Sequence, residues 1–113
     1  MKPGINTEQE VFDVAAKHLL TQNKRCADDE GGCMLIDDAG NRCAVGALLT
    51  KEECEADVFN EGLRYVPRHI WDLADSLQTV HDCNDPAHWG EELRRVADRY
   101  DLSSAVLEEP NAD

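Results

Sequence analysis

Positions Val11, Val14, Ala15, His18 and Leu19 recur at intervals of three and four, the spacing of one buried helical face. Just before them, Thr7-Glu8-Gln9-Glu10 has the S/T-x-x-E pattern in which the first side chain and the last satisfy each other's free backbone donors. The two signals together predict a first helix over residues 8–22. A polar stretch follows and ends at Gly31-Gly32, a break in the pattern. Beyond it lie two short apolar runs around Asp38-Ala39-Gly40-Asn41, where Gly40 suits a positive φ. This reads as a β-hairpin with Ile36 opposite Cys43. Met34, Ile36, Cys43 and Val45 then share one face, and Cys33 and Leu35 point to the other. Ala44–Leu49 lacks β alternation, so the second limb is expected to turn from a brief strand into a short helix.

The C-terminal half is again helical in rhythm. Thr50-Lys51-Glu52-Glu53 resembles a second capping box and opens an acidic turn reaching Asp57. Pro67 suits the first position of a helix whose stripe is Ile70, Leu73, Ala74, Leu77, Val80 and His81. Asn84-Asp85-Pro86 ends that helix and starts another, with Asp85 as N-cap and Pro86 at the first helical position. Trp89, Leu93, Val96 and Tyr100 form its apolar arc, and Glu91 and Arg95 are spaced for an exposed ion pair. The expected fold is α+β, about four helices packed with one short β-hairpin. A single domain spans residues 1–107, and an acidic tail covers 108–113.

Composition narrows what such a domain does. The chain has 113 residues, with 24 Asp and Glu against 11 Lys and Arg, a net charge of −13. The cationic residues are dispersed, which argues against direct binding to nucleic acid or an anionic membrane. No apolar run approaches the ~20 residues that span a bilayer, and the N-terminus lacks a signal-peptide core. Five cysteines at irregular spacing suit reduced thiols in a cytoplasm better than a disulfide framework.

Three groups of residues carry candidate chemistry. Cys43, at the start of the short helix, is the best nucleophile, with His81 as base and Asp82 or Asn84 as its orienter. Against that stands His81's place in an apolar stripe, where a structural histidine satisfied by a backbone carbonyl is the simpler expectation. His81, Cys83 and His88 lie within eight positions, and Cys26 or Cys33 supplies a fourth donor for zinc, but the close Cys pair of structural zinc sites is absent. The third group is acidic. Asp28, Asp29 and Glu30 lie on one flank of the hairpin, and Glu52, Glu53, Glu55 and Asp57 on the other. Converging, they would present a carboxylate array to an Arg- or Lys-rich partner. Trp71, at the edge of its helix's stripe, is a candidate apolar anchor.

Gly32-Cys33-Met34, Gly40-Asn41-Arg42-Cys43-Ala44-Val45-Gly46-Ala47-Leu48 and Leu77-Gln78-Thr79-Val80-His81-Asp82 resemble a group of small phage, prophage and bacterial proteins that has no established activity. The resemblance implies a cytoplasmic, phage-type accessory protein, acting in the host cell if phage-encoded, and often an inhibitor or modulator of host proteins. It assigns no functional residue. The reading that results is an acidic binding module without a cofactor, a monomer or weak dimer, docking on a basic surface such as that of a defence or nucleic-acid-binding factor. A Cys/His enzyme and a small zinc domain are the alternatives.

Overall fold

The computed structural model describes residues 1–24, 26, 35–37, 39–56 and 62–108. Five α-helices run through these residues: α1 (Glu8–Gln22), α2 (Ala44–Leu48), α3 (Lys51–Ala56), α4 (Trp71–Cys83) and α5 (Trp89–Arg99). Single 3₁₀ turns occupy Gly62–Tyr65, Arg68–Ile70, Pro86–His88 and Ala105–Glu108.

Local chemistry sets most of the boundaries. At α1, the Thr7 hydroxyl accepts from the Glu10 amide while the Glu10 carboxylate accepts from the Thr7 amide, the reciprocal box its sequence predicts. Asn23 ends the helix in the left-handed region (φ 52°) and returns its amide to the Leu19 carbonyl. Thr50 and Glu53 make the same exchange at α3. Asp85 and Pro86 open the 3₁₀ turn that leads into α5, although Asp85 makes no side-chain cap bond. Pro67 differs from its expected place. It stands as N-cap of the 3₁₀ turn Arg68–Ile70, and α4 follows directly from that turn.

The α-helices pack around one core. Phe12, Leu19, Leu48, Leu49, Ile70, Leu73, Leu77, Trp89 and Leu93 are fully buried in it. Each such side chain contributes about 1.5–3 kcal/mol relative to exposure. α1 packs on α2, α4 and α5, while α4 touches both α2 and α5. The buried face of α1 is rotated from the predicted one: Val11, Phe12, Ala15, Ala16 and Leu19 are inside, whereas Val14 and His18 are half-buried. The α4 stripe is as its periodicity predicts, with Ile70, Leu73, Ala74, Leu77, Val80 and His81 all buried. Gln9 fastens the C-terminal segment to α1, its amide donating to the Ser103 carbonyl (3.0 Å) and accepting from the Ser103 amide (2.8 Å).

The hairpin, and with it the α+β class, is not what forms. The described residues contain no β-strand, only an isolated antiparallel bridge between Ile36 and Arg42, so the fold is helical. The physical reason is the early start of α2, directly beyond a loop closed by Asp37. One of its carboxylate oxygens accepts from the Ala39 and Asn41 amides, the other accepts from the Asn41 side chain, and its carbonyl accepts from the Gly40 amide. With the Asp37 amide donating to the Asn41 carbonyl, these bonds close the loop on which the single bridge sits. Directly after the bridge, Cys43 caps α2, so the second limb becomes helix at once. The expected short helix is therefore present, and the sheet that was to precede it is not. Cys33 and Met34 of the first limb lie outside the described residues. Among those residues no helix is long and apolar enough to cross a membrane.

Candidate functional site

A polar chain runs from the surface of α4 into the core, where α4 and α5 meet Cys26. His81 is its centre and, at 2 % exposure, the one buried polar residue of the described set. Its Nε2 accepts from the Cys26 backbone amide at 3.0 Å, and its Nδ1 lies 2.7 Å from Asp82 Oδ1. Since Nε2 is an acceptor, the neutral ring carries its proton on Nδ1 and donates it to Asp82. The ring stacks on Trp89, with centroids 5.5 Å apart and planes at 26°. Trp89 in turn donates its indole N–H to the Asn84 carbonyl at 3.2 Å. Gln78, one turn earlier on α4, donates to Asp82 Oδ1 (3.0 Å) and accepts from the Val45 amide in the first turn of α2 (3.1 Å). The path Val45–Gln78–Asp82–His81–Cys26 thus pins α2 and Cys26 to α4. As expected, His81 is in the core; its backbone partner is an amide rather than a carbonyl.

Cys43 is fully buried beside this path. Its Sγ accepts from the Gly46 amide at 3.3 Å, and its own amide donates to the Leu35 carbonyl at 3.4 Å. A thiol–imidazole pair requires a ring nitrogen directed at sulfur. Here Nε2 faces Cys26 and Nδ1 faces Asp82, so a Cys43–His81 couple would first require His81 to release Cys26. Asn84 donates its side-chain amide to the Val80 carbonyl at 3.3 Å. The zinc alternative is dispersed by the fold: His81 is inside, while Cys83 and His88 are exposed. Among the described residues no group of three His, Cys, Asp or Glu is placed to hold a metal ion.

The acidic candidates divide. Glu52 and Glu55 are exposed on α3, with Lys51 3.9 Å from Glu55. Glu53 is structural. Burial alone would raise its pKa, but hydrogen bonds and charge from the amino terminus (2.6 Å) and bonds from Thr50 hold it below the ordinary carboxylate value. Asp28, Asp29, Glu30 and Asp57 lie outside the described residues. The expected Glu91–Arg95 pair is replaced by Glu92–Arg95 at 3.2 Å. Trp71 is half-buried, its indole N–H bound to the Val66 carbonyl at 2.7 Å.

A second polar knot, which sequence reasoning missed, joins α1 to the loop before α2. Gln22 Oε1 is bonded to His18 Nε2 (2.7 Å) and accepts from the Arg42 amide (2.7 Å), while its Nε2 donates to the Arg42 and Lys24 carbonyls. Arg42 reaches across to donate to the Leu49 carbonyl at 3.0 Å, at the C-terminal end of α2 where a cation is favoured. Gln22, Arg42 and Gln78 are polar residues on amphipathic segments, a pattern that reads as solvent-facing.

This knot carries a pH prediction. Burial lowers the His18 pKa, the Gln22 hydrogen bond raises it, and the charges of Lys2 and Arg42 lower it further, with a net fall from 6.5. The folded protein therefore binds fewer protons at this site than the unfolded chain between its depressed pKa and 6.5. Its stabilising effect is complete above about pH 6.5 and is lost as pH drops through that window. Urea midpoints measured from pH 7.5 to 5 will show that decline, and His18→Gln will flatten it. An equal decline in the variant would assign it elsewhere.

Comparison of the chain with protein-family models, curated proteins and solved structures found no match.

Proposed function

We propose that this protein is a small acidic binding module, a phage-type accessory protein that inhibits or modulates a host protein by docking on its basic surface, without a cofactor and as a monomer or weak dimer. Its place of action in this reading is the cytoplasm, that of the host cell if it is phage-encoded. One observation carries the reading: no described Asp or Glu belongs to the core, so the described share of the chain's −13 charge lies at the surface. Ion pairs offset little of it, since Lys51–Glu55, Arg94–Glu108 and Arg95–Glu92 are exposed pairs worth ~0–1 kcal/mol each. A surface of this kind raises association rates with cationic partners and repels nucleic acid. The interior polar chain around His81 is consistent with a scaffold role, because both ring nitrogens serve packing.

The test is capture from host lysate at low and at high salt, using the wild type and a variant with Asp28, Asp29, Glu30, Glu52 and Glu55 neutralised to Asn or Gln. Glu53 is left intact because it holds the α3 cap. The expected result is a basic partner retained at low salt by the wild type, and lost both at high salt and in the variant. Retention under all conditions would rule out the electrostatic mechanism.

A further inference from the structure

At the end of α5 the chain turns back on itself through an unfavourable residue. The Leu102 amide donates to the Ala97 carbonyl (2.8 Å) and the Asp101 amide to the Asp98 carbonyl (3.3 Å), a paired closure that usually has glycine at the exit. Here Asp101 holds that left-handed position, at φ 55°, where a Cβ is disfavoured. Beyond it, residues 102–108 lie as a strap against α1 and α5. Leu102, Val106 and Leu107 pack on the core but stay half-buried, and no residue of the strap is fully inside. Its polar ties are at the surface. The Gln9–Ser103 amide pair is exposed, and Arg94 lies 3.7 Å from Glu108 with both side chains more than half exposed. A segment held in this way opens far more readily than the helices it covers.

We infer that the groove between α1 and α5 is a peptide-docking site, filled by the chain's own strap as an autoinhibitory contact, and that the strap yields to an aliphatic segment of a partner protein. The clamp is Gln9. Its side-chain amide donates to the Ser103 carbonyl and accepts from the Ser103 amide, so it reads backbone and takes any residue there except proline. Its Nε2 also donates to Asp13 Oδ1 at 2.9 Å, which sets the clamp in place before a peptide arrives. Three and four positions after the clamped residue, Val106 and Leu107 make the apolar contacts. The matching partner segment therefore has two adjacent aliphatic side chains at that spacing from a residue with a free N–H. The strap also under-fills its groove. A cleft of about 480 Å³ lies beside it, with Val14, Lys17, Ala105 and Val106 among its walls. A larger aliphatic side chain at the place of Ala105 would bury apolar surface that the strap leaves in water. That gain is what lets a partner displace a tethered competitor. The site makes no use of the acidic surface and is tested separately from it.

The experiment titrates the full chain with the end-blocked peptide Leu-Ser-Ser-Ala-Val-Leu-Glu, the sequence of residues 102–108, following the Gln9 side-chain amide by NMR. Two further peptides carry Ala105→Leu or Ser103→Pro. Two chain variants loosen the strap: Ser103→Pro removes the amide that Gln9 accepts from, and Val106→Ser weakens the packing. Unchanged amide spectra in α1 and α4 will confirm that each folds; should one unfold, the other and the wild type with the Ala105→Leu peptide decide. The loosened chains are expected to bind the parent peptide saturably and about tenfold more tightly than the wild type does, because the tethered competitor is weakened. The Ala105→Leu peptide is expected to bind about tenfold more tightly again, and the Ser103→Pro peptide to fail. No binding by a folded, loosened chain, or equal binding of the Ser103→Pro peptide, overturns the proposal. Equal binding of the parent and Ala105→Leu peptides overturns the inferred partner. So does a wild-type dimer that the peptide dissociates, since the occupant would then be the strap of a second copy.

Discussion

Replacing Gly46 with alanine is expected to destabilise the fold by about 3 kcal/mol or more, although Gly→Ala in a helix interior ordinarily stabilises by roughly 0.5–1 kcal/mol. A Cβ at position 46 would stand 2.0 Å from the Leu35 carbonyl oxygen and 2.9 Å from its carbon. These are backbone atoms, and that same carbonyl accepts from the Cys43 amide, so no side chain can rotate away to make room. The helix α2 would have to lift from the Leu35 segment. Its movement would disturb the Cys43 Sγ bond to the Gly46 amide and the Cys54 Sγ contact with the Gly46 carbonyl at 3.6 Å. Every residue of α2 is buried, so the displacement would open the core. Gly90 in α5 is the control: its nearest neighbour is a Leu20 methyl at 3.9 Å, and Gly90→Ala should leave stability equal or slightly higher. Urea denaturation of the two variants side by side checks the contrast. Equal stabilities would mean that α2 does not approach Leu35 as closely as described.

His81→Ala is the second large effect, a loss of about 2–4 kcal/mol. The substitution removes a buried ring from its stack on Trp89 and leaves a cavity. It also takes the acceptor from the Cys26 amide and the donor from Asp82. The Cys26 amide is the more costly orphan because it is buried, whereas Asp82 is 39 % exposed and can turn to water. Chemical denaturation measures the loss, and Trp89 fluorescence reports the altered stack. Stability unchanged from wild type, combined with loss of partner binding, would instead place His81 in a functional site and revive the pairing with Cys43.

The two substitutions bear on function through the same joint. Gly46 and His81 hold α2 and Cys26 in place against α4 and the Leu35 backbone. Variants at the two positions separate scaffold effects from direct electrostatic ones in a binding assay.

Helix identity was legible in the chain because it is decided by neighbours. The Thr7–Glu10 and Thr50–Glu53 boxes act over three residues, and the stripe from Ile70 to His81 needs only a 3.6-residue period and a core to face. His81's burial followed from the same period. The hairpin was misread because turn residues do not say how far pairing continues. That depended on Cys43 starting α2 immediately after the bridge. The roles of Gln22, Arg42 and Gln78 were decided only in three dimensions. Each bonds to a segment 20 or more positions away, or at α2's far end, and no local pattern distinguishes such a residue from one facing water. Gly46 belongs with them, since its need for a missing Cβ comes from Leu35 arriving 11 positions earlier in the chain. The contacts of Arg64 with the Tyr65 ring and of Arg68 with the Trp71 ring are a similar case: the residues are near one another in the chain, but only the 3₁₀ turns lay each guanidinium on a ring. Short-range chemistry and periodicity determined the helices. Contacts between distant segments decided which polar residues hold them together, because those bonds exist only after the chain has brought their partners into reach.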